Sequence, residues 1–347
     1  MNETCDWRPA ASLETLRLRG RLLRAVRQFF DACGYWEVDT PQISHERVID
    51  ANLEPFVVSF EGDGASRAAS PLFLQTSPEF AMKRLLAAGA EAIYQVGHVF
   101  RPRELGRWHN PEFTMIEWYR VGDTHLDQMQ VVEDLVVAVL QGAGVLENPL
   151  PDASLRLDLA SLTPFVRTTY RDAFLRHTGA DLAVADSGEL SEWTHRRGMI
   201  PPPGLQADDR DGWLNWLLAE LVEPHLGRDR PEFVCDYPPS QAALARIRPG
   251  DPPVAERFEL YCRGIELCNG YHELPNAEEL AARIGAESAA RSREGLPRLP
   301  LPQRLLAAMQ AGLPDCSGVA LGFDRLMAMA IGADTVHAVL PFSFPNC

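Results

Sequence analysis

Apolar residues recur at helical spacing between residues 12 and 33, with Leu16, Leu22, Leu23, Val26, Phe29 and Phe30 forming one face. Ser12 stands where an N-cap belongs, and Gly34 where the helix can end. A short strand is predicted from Tyr35 to Thr40, stopped by Pro41, and another over 72–75. Ser77-Pro78-Glu79 then opens a helix through Leu86, with serine as cap and proline in the first turn. Ala92 to Arg101 and Glu112 to Arg120 read as antiparallel strands joined by a long basic loop, followed by a helix over 125–142.

Residues 145–230 are mixed and loop-rich, with an amphipathic helix near 211–222. The block 145–235 is expected to be an insertion or cap on a single domain spanning 1–347. Two further strands, Arg257 to Cys262 and Ile265 to Leu274, flank Arg263-Gly264, and helices follow over 277–292 and 302–311. The stretch "GVALGFDRLMAMAIG" is a glycine-rich strand running into an apolar helix. Strands and helices alternate without a regular β-α-β rhythm. The prediction is an α+β fold, a mostly antiparallel sheet flanked by helices.

Composition narrows the function classes. The formal charge of −15 argues against a broad interface with a nucleic-acid backbone, although it permits a local basic pocket. Seven cysteines without a C-x-x-C pair suggest reduced thiols and a cytoplasmic protein. No apolar run reaches the ~18 residues that span a bilayer, and the N-terminal stretch lacks the pattern of a secretion signal.

Candidate chemistry gathers in three places. On the strand after the basic loop, Phe113, Met115, Glu117 and Tyr119 share a face. A carboxylate there is either solvated at an edge or buried to meet a cation. If Arg263-Gly264 is a two-residue turn, Tyr261 pairs with Glu266, and Glu259 lies on the same face one diagonal step away. Two such carboxylates form a solvated acidic face or hold a hard divalent cation. Asn269, Tyr271 and Glu273 alternate and suit an amino acid: amide for carboxylate, carboxylate for ammonium, ring along the stem. Glu266 and Asn269 are three apart, so one shared site demands a bulge or bend between them. Gly318, Gly322 and Arg325 close the set, with glycines for close backbone approach and an arginine for phosphate or base.

A family resemblance joins these places. "FFDACGYWEVDTP", "TSPEFAMKRLL", "FR" followed by "HNPEFTMIEWY", "RFELYCRGIELCNGYHEL" and "GVALGFDRL" occur in the order and spacing of a class II lysyl-tRNA synthetase catalytic domain. Only about ten residues precede the first helix, so no anticodon-binding barrel is expected. With "NPEFTMIEWYR" and "PDCSGVALG", the chain resembles the elongation factor P lysine ligases. That resemblance implies activation of lysine, preferably (R)-β-lysine, by ATP with Mg²⁺, and transfer to a lysine side chain of elongation factor P. It also implies a homodimer with the 12–45 region at its interface, and no stable binding of tRNA.

The resemblance further implies roles for individual residues. Arg101 resembles the arginine that bridges the substrate carboxylate and the α-phosphate, and Arg325 its partner on the phosphates. Pro102, Arg103, Glu104, Asn110, Phe113, Glu266, Leu267 and Gly322 match ATP-site positions, with Phe113 stacked on adenine. Ser77, Pro78, Glu79, Glu117, Tyr119, Asn269, Tyr271, Glu273 and Ala320 match the amino-acid site, and Glu259 and Glu266 the Mg²⁺ ligands. Two departures stand out. Class II enzymes carry Arg-x-Glu, whereas here Glu104 sits one place later, so either Glu104 substitutes through a shifted loop or backbone groups read adenine. Synthetases have glycine where this chain has Ala320, whose methyl reshapes the wall beside the substrate's amino end. A free-standing synthetase acting on tRNA and a non-catalytic binder of ATP or amino acid are the competing readings.

Overall fold

The computed structural model describes residues 7–48, 54–59, 71–142, 162–293 and 300–347. The architecture is α+β, with strands predominantly antiparallel. It divides into two compact units, one within 1–123, 134–159 and 275–347, the other within 124–133 and 160–274.

In the first unit, helix α1 (Leu13–Ala32) begins at Ser12, whose Oγ accepts the Thr15 N–H. Its face of Leu18, Leu22, Ala25, Val26 and Phe30 is buried. The main strands are β1 (Trp36–Glu37), β5 (Ala92–Phe100), β6 (Glu112–Val121) and β12 (Cys316–Gly322), adjacent in that order. β1 runs parallel to β5, while β5–β6 and β6–β12 are antiparallel. Strands β2 (Ile43–Ser44), β3 (Val57–Val58) and β4 (Leu72–Leu74) make a small separate sheet. Helices α2 (Glu79–Ala87), α7 (Ala277–Arg293), α8 (Gln303–Gly312) and α9 (Phe323–Ile331) complete this unit. Phe30 stacks on Tyr94 at 4.5 Å between ring centroids and tilts against Trp118 at 5.2 Å. The α1 face of β5 and β6 is therefore core, which leaves the alternate residues of β6 for chemistry.

In the second unit, β11 (Ile265–His272), β10 (Val254–Cys262), β8 (Glu232–Tyr237) and β7 (Val166–Thr169) lie side by side, with β9 (Ile247–Arg248) also on β10. Only β7–β8 is parallel among these pairings. Helices α4 (Tyr170–Thr178), α5 (Ser187–Arg196) and α6 (Arg210–Leu217) bury Tyr170, Phe174, Leu190, Trp213 and Leu217 against Val234, Tyr237 and Tyr261. Residues 125–133 of helix α3 (His125–Gly142) also belong here.

Three local predictions need correction. The strand expected over Tyr35–Thr40 keeps only Trp36 and Glu37, because the Thr40 N–H turns to the Gln95 side chain at 2.9 Å. The N-cap of α2 is Pro78, not Ser77; Ser77 Oγ instead accepts the Glu79 N–H at 3.0 Å from one residue further out. The helix expected near 211–222 is α-helical only to Leu217 and widens to a π turn over Leu218–Val222. Of the block expected as an insertion, 145–161 lies outside the described residues, and the rest supplies β7, most of β8 and helices α4 to α6.

Candidate active site

Strand β6 organises the candidate residues of the first unit. Glu117 is central in the sheet, paired with Gln95 on one side and Ala320 on the other, and only 2% exposed. The edge-strand alternative is thereby excluded. Ser77 Oγ donates to the Glu117 carboxylate at 2.8 Å and the Tyr119 hydroxyl at 2.7 Å. Burial, then the nearby Glu79 charge, push the Glu117 carboxyl up to about 7, against the pull of Tyr119, Ser77 and Lys83. Glu79 is engaged elsewhere, 2.6 Å from Lys83 Nζ, both side chains being buried. A buried carboxylate held by two hydroxyls, with its pKa near neutrality, can seat an ammonium group.

Four residues back along the same face, about 13 Å at strand rise, Phe113 carries Arg101 over its ring at 5.2 Å. Arg101 Nε donates to the Thr76 carbonyl at 3.3 Å and Nη1 to Glu104 at 3.1 Å. No bond from the described residues reaches its Nη2. Glu104 is thus the ion-pair partner of Arg101, one turn along the loop. Its other oxygen lies 4.0 Å from His109 Nε2. Arg325, in the first turn of α9, donates through Nε to the Trp108 carbonyl at 3.1 Å and stands 2.6 Å from His109 Nε2. Burial, then Arg325, lower the His109 pKa, which suits a neutral ring accepting from the guanidinium. Arg103 is exposed and Pro102 half-buried. Asn110 is buried and occupied at both ends of its amide: Nδ2 donates to the Glu112 carbonyl at 2.7 Å, and Oδ1 accepts the Phe344 N–H at 2.9 Å.

A second network fixes α9 on β6. Asp324 accepts from Arg19 of α1 at 2.5 Å and from the Thr114 N–H at 2.9 Å, while Arg19 also reaches Thr114 Oγ1 at 2.7 Å. Gly322 is the N-cap of α9 and pairs with Met115. These bonds hold Arg325 and Phe113, one residue from Asp324 and Thr114 respectively, in fixed register.

The candidate residues of the second unit lie on the β10–β11 hairpin. Arg263 and Gly264 both have positive φ (55° and 78°), the two-residue turn that the sequence predicts. Cys262 pairs with Ile265 and Tyr261 with Glu266, but Leu260 pairs with Cys268, so Leu267 is the extra residue of a bulge. The next pairs are Glu259 with Asn269 and Arg257 with Tyr271. The bulge therefore brings Glu266, Asn269 and Tyr271 to the face of Arg257, Glu259 and Tyr261, as a single shared site requires.

Glu259, 7% exposed, accepts from Arg257 at 2.5 Å and from the Tyr237 and Tyr261 hydroxyls, both at 2.6 Å. Burial is the largest single influence and would lower the Arg257 pKa, but the Glu259 charge and hydrogen bond, with Tyr271 and Tyr237, together outweigh it and the value rises. Burial, then Glu259, raise both tyrosines well above the ordinary range. Arg257 Nε also donates to Asn269 Oδ1 at 3.3 Å, and Asn269 Nδ2 to the Tyr271 hydroxyl at 3.1 Å. Glu273 is buried just past the end of β11, and its carbonyl accepts from Arg246 at 3.2 Å. Three donors reach Glu259, against about four lone-pair directions on a carboxylate. One direction remains beside half-exposed Glu266 on the same face, so the pair fits a hard divalent cation.

Sequence reasoning missed Arg257, Lys83, His109 and the Arg19–Asp324 pair. Arg257 had a signal in its alternation with Glu259 and Tyr261. Lys83 had one in its i,i+4 spacing from Glu79. The contact of Arg19 with Asp324 joins residues 305 apart and leaves no local trace.

A strand floor with cations at one end and a buried carboxylate at the other suits activation of an amino acid by a nucleotide. A family model described as tRNA synthetases class II (D, K and N) matches residues 1–346, and the chain belongs to that family. Several similar curated proteins carry the name elongation factor P--(R)-beta-lysine ligase. The protein of that name from Vibrio cholerae serotype O1 is 45% identical over 343 residues, covering 98% of each chain. That from Yersinia enterocolitica is 43% identical, over 99% of this chain and 98% of the relative. The one from Klebsiella pneumoniae (strain 342) is 41% identical over 99% of both.

Proposed function

We propose that this chain is an ATP-dependent ligase that activates a lysine-type amino acid, (R)-β-lysine foremost, and transfers it to a lysine side chain of elongation factor P. The observation that carries the reading is strand β6 with its Arg101–Phe113 pair at one end and buried Glu117 at the other. The names and full-length similarity of the relatives support the same reading.

In the first step the amino acid's carboxylate attacks the α-phosphorus of ATP, and pyrophosphate leaves with the bonding electrons. That carboxylate is already ionised, so no protein nucleophile is needed. Arg101 and Arg325 stabilise charge growing on the phosphate oxygens. Glu117, ionised once it meets the substrate ammonium, orients the chain of the amino acid, with Ser77 and Tyr119 fixing its oxygens. Asn269, Tyr271 and Glu273 are assigned to the same substrate. Glu259 and Glu266 would hold Mg²⁺, which supplies charge neutralisation on the departing phosphates. In the second step the acceptor ε-amine attacks the acyl carbon of the adenylate. AMP leaves, the amine gives up a proton, and an amide remains. We assign no stable tRNA binding, and a homodimer formed through the 12–45 region.

ATP–pyrophosphate exchange with (R)-β-lysine and with lysine tests the first step; absence of exchange with both refutes ligase activity. Incubation of the enzyme, ATP and labelled amino acid with elongation factor P or tRNA tests the second. Mass added to the protein is expected, and label on tRNA alone would overturn the assignment of acceptor.

A further inference from the structure

The opposite side of the β10–β11 hairpin carries a cluster that the proposed reaction does not use. His125, the first residue of α3, meets Glu256 on β10 and His272 on β11, all three buried, with one potential ligand atom from each within 4.8 Å of the others. Neither ring nitrogen of His125, itself 2% exposed, has a hydrogen-bond partner among the described residues. Its ring stacks beside that of His272 at 6.2 Å. His272 Nδ1 and Glu256 Oε2 share a proton across 2.6 Å. Arg248 occupies the other Glu256 oxygen at 3.2 Å and Asp236 at 2.8 Å, so Oε2 is left to the histidines.

We propose that His125, Glu256 and His272 form a binding site for a divalent transition metal, zinc foremost, that ties the start of α3 to the β10–β11 hairpin. A buried imidazole with two unused nitrogens costs free energy that a metal bond would offset. Two imidazoles and one carboxylate are a donor set for Zn²⁺ rather than for Mg²⁺ or Ca²⁺. Charge agrees: Glu256 and Asp236 against Arg248 leave the neighbourhood at one net negative charge with both imidazoles neutral. Burial lowers the His125 pKa and keeps that ring in its ligating form. Protons compete with the metal for the imidazole nitrogens, so affinity falls as pH falls. Arg248 and Asp236 then act as outer partners that orient the carboxylate.

The test uses the full-length protein, stripped with a chelator and titrated with zinc sulfate by calorimetry and with cobalt chloride by absorption. One equivalent of zinc per chain is expected, with a higher melting temperature. His125→Ala and Glu256→Gln should each weaken binding at least tenfold, and circular dichroism should show both folded. Cobalt should give d–d bands without a thiolate charge-transfer band. No uptake by the wild-type protein would overturn the site, leaving the cluster a plain hydrogen-bonded pair. Uptake unchanged in both variants, or a thiolate band that assigns the metal to cysteine, would overturn it equally.

Discussion

Ala320 of β12 stands directly across from Glu117 of β6, so its methyl lies on the face where the buried carboxylate is held. Gly318 and Gly322 stand in the same way across from Tyr119 and Met115. Small residues thus line β12 where large ones line β6, and Ala320 is the one that adds a carbon. Replacement of Ala320 by glycine should shift preference toward substrates with an α-amino group. The expected change is about tenfold in the ratio of kcat/KM for lysine over (R)-β-lysine, the value of ~1.4 kcal/mol. An unchanged ratio in pyrophosphate exchange would refute the role given to the methyl.

Glu117 gives a pH prediction with a definite sign. Its carboxyl titrates near 4.5 when unfolded and about 7 when folded. Between those values the folded state holds the additional proton, so this group makes stability fall as pH rises from about 4.5 to 7, then level off. Glu117→Gln removes that slope. The variant should melt higher than wild type at pH 8 and match it at pH 4. Its KM for the amino acid should rise about a hundredfold, because a buried ammonium loses its counter-charge. Thermal scans across pH, with exchange kinetics, check both halves.

Arg101→Ala should lower the exchange rate by ~10²–10³-fold, the usual effect of removing one preorganised donor at a developing anion. The side chain is half-buried over the Phe113 ring, so the melting temperature should move little.

Arg257→Met tests the polar layer of the second unit. Loss of the guanidinium leaves Glu259 buried with two tyrosine hydroxyls and no cation. Breaking a buried ion pair from one side costs about 3–5 kcal/mol, measurable by urea denaturation. A double variant with Glu259→Gln should recover part of that loss.

Gly264→Ala tests the hairpin turn. Gly264 has φ of +78°, and a Cβ there would come within 3.0 Å of the Glu223 carbonyl oxygen. The left-handed backbone alone costs about 1–2 kcal/mol, and a drop of at least that size is expected in the same denaturation assay.

Some of this was legible in the sequence because it is local. The pairing of 92–100 with 112–121 follows from alternation, and the turn at Arg263-Gly264 from residue type. A bulge or bend between Glu266 and Asn269 followed from the condition that both serve one site; the register places it as a bulge at Leu267. Asn110 shows the limit: the resemblance matches it to an ATP-site position, and nothing local foretells that its amide also holds Glu112 and Phe344, the latter 234 residues away. The truncated strand after Tyr35 shows another, since the Gln95 side chain that captures the Thr40 N–H lies 55 residues on. Local pattern fixes which face a residue occupies; which distant group meets it there is decided by tertiary packing.

Lys83 is the sole lysine of the chain, 2% exposed and bound to Glu79. On the proposed function, the enzyme manufactures a reactive anhydride whose natural target is an ε-amine. A molecule of it that drifts free finds no exposed ε-amine on the protein that made it, since the one lysine is buried. The catalyst is thereby shielded from labelling itself, and its arginine-for-lysine surface spares the product for the proper acceptor.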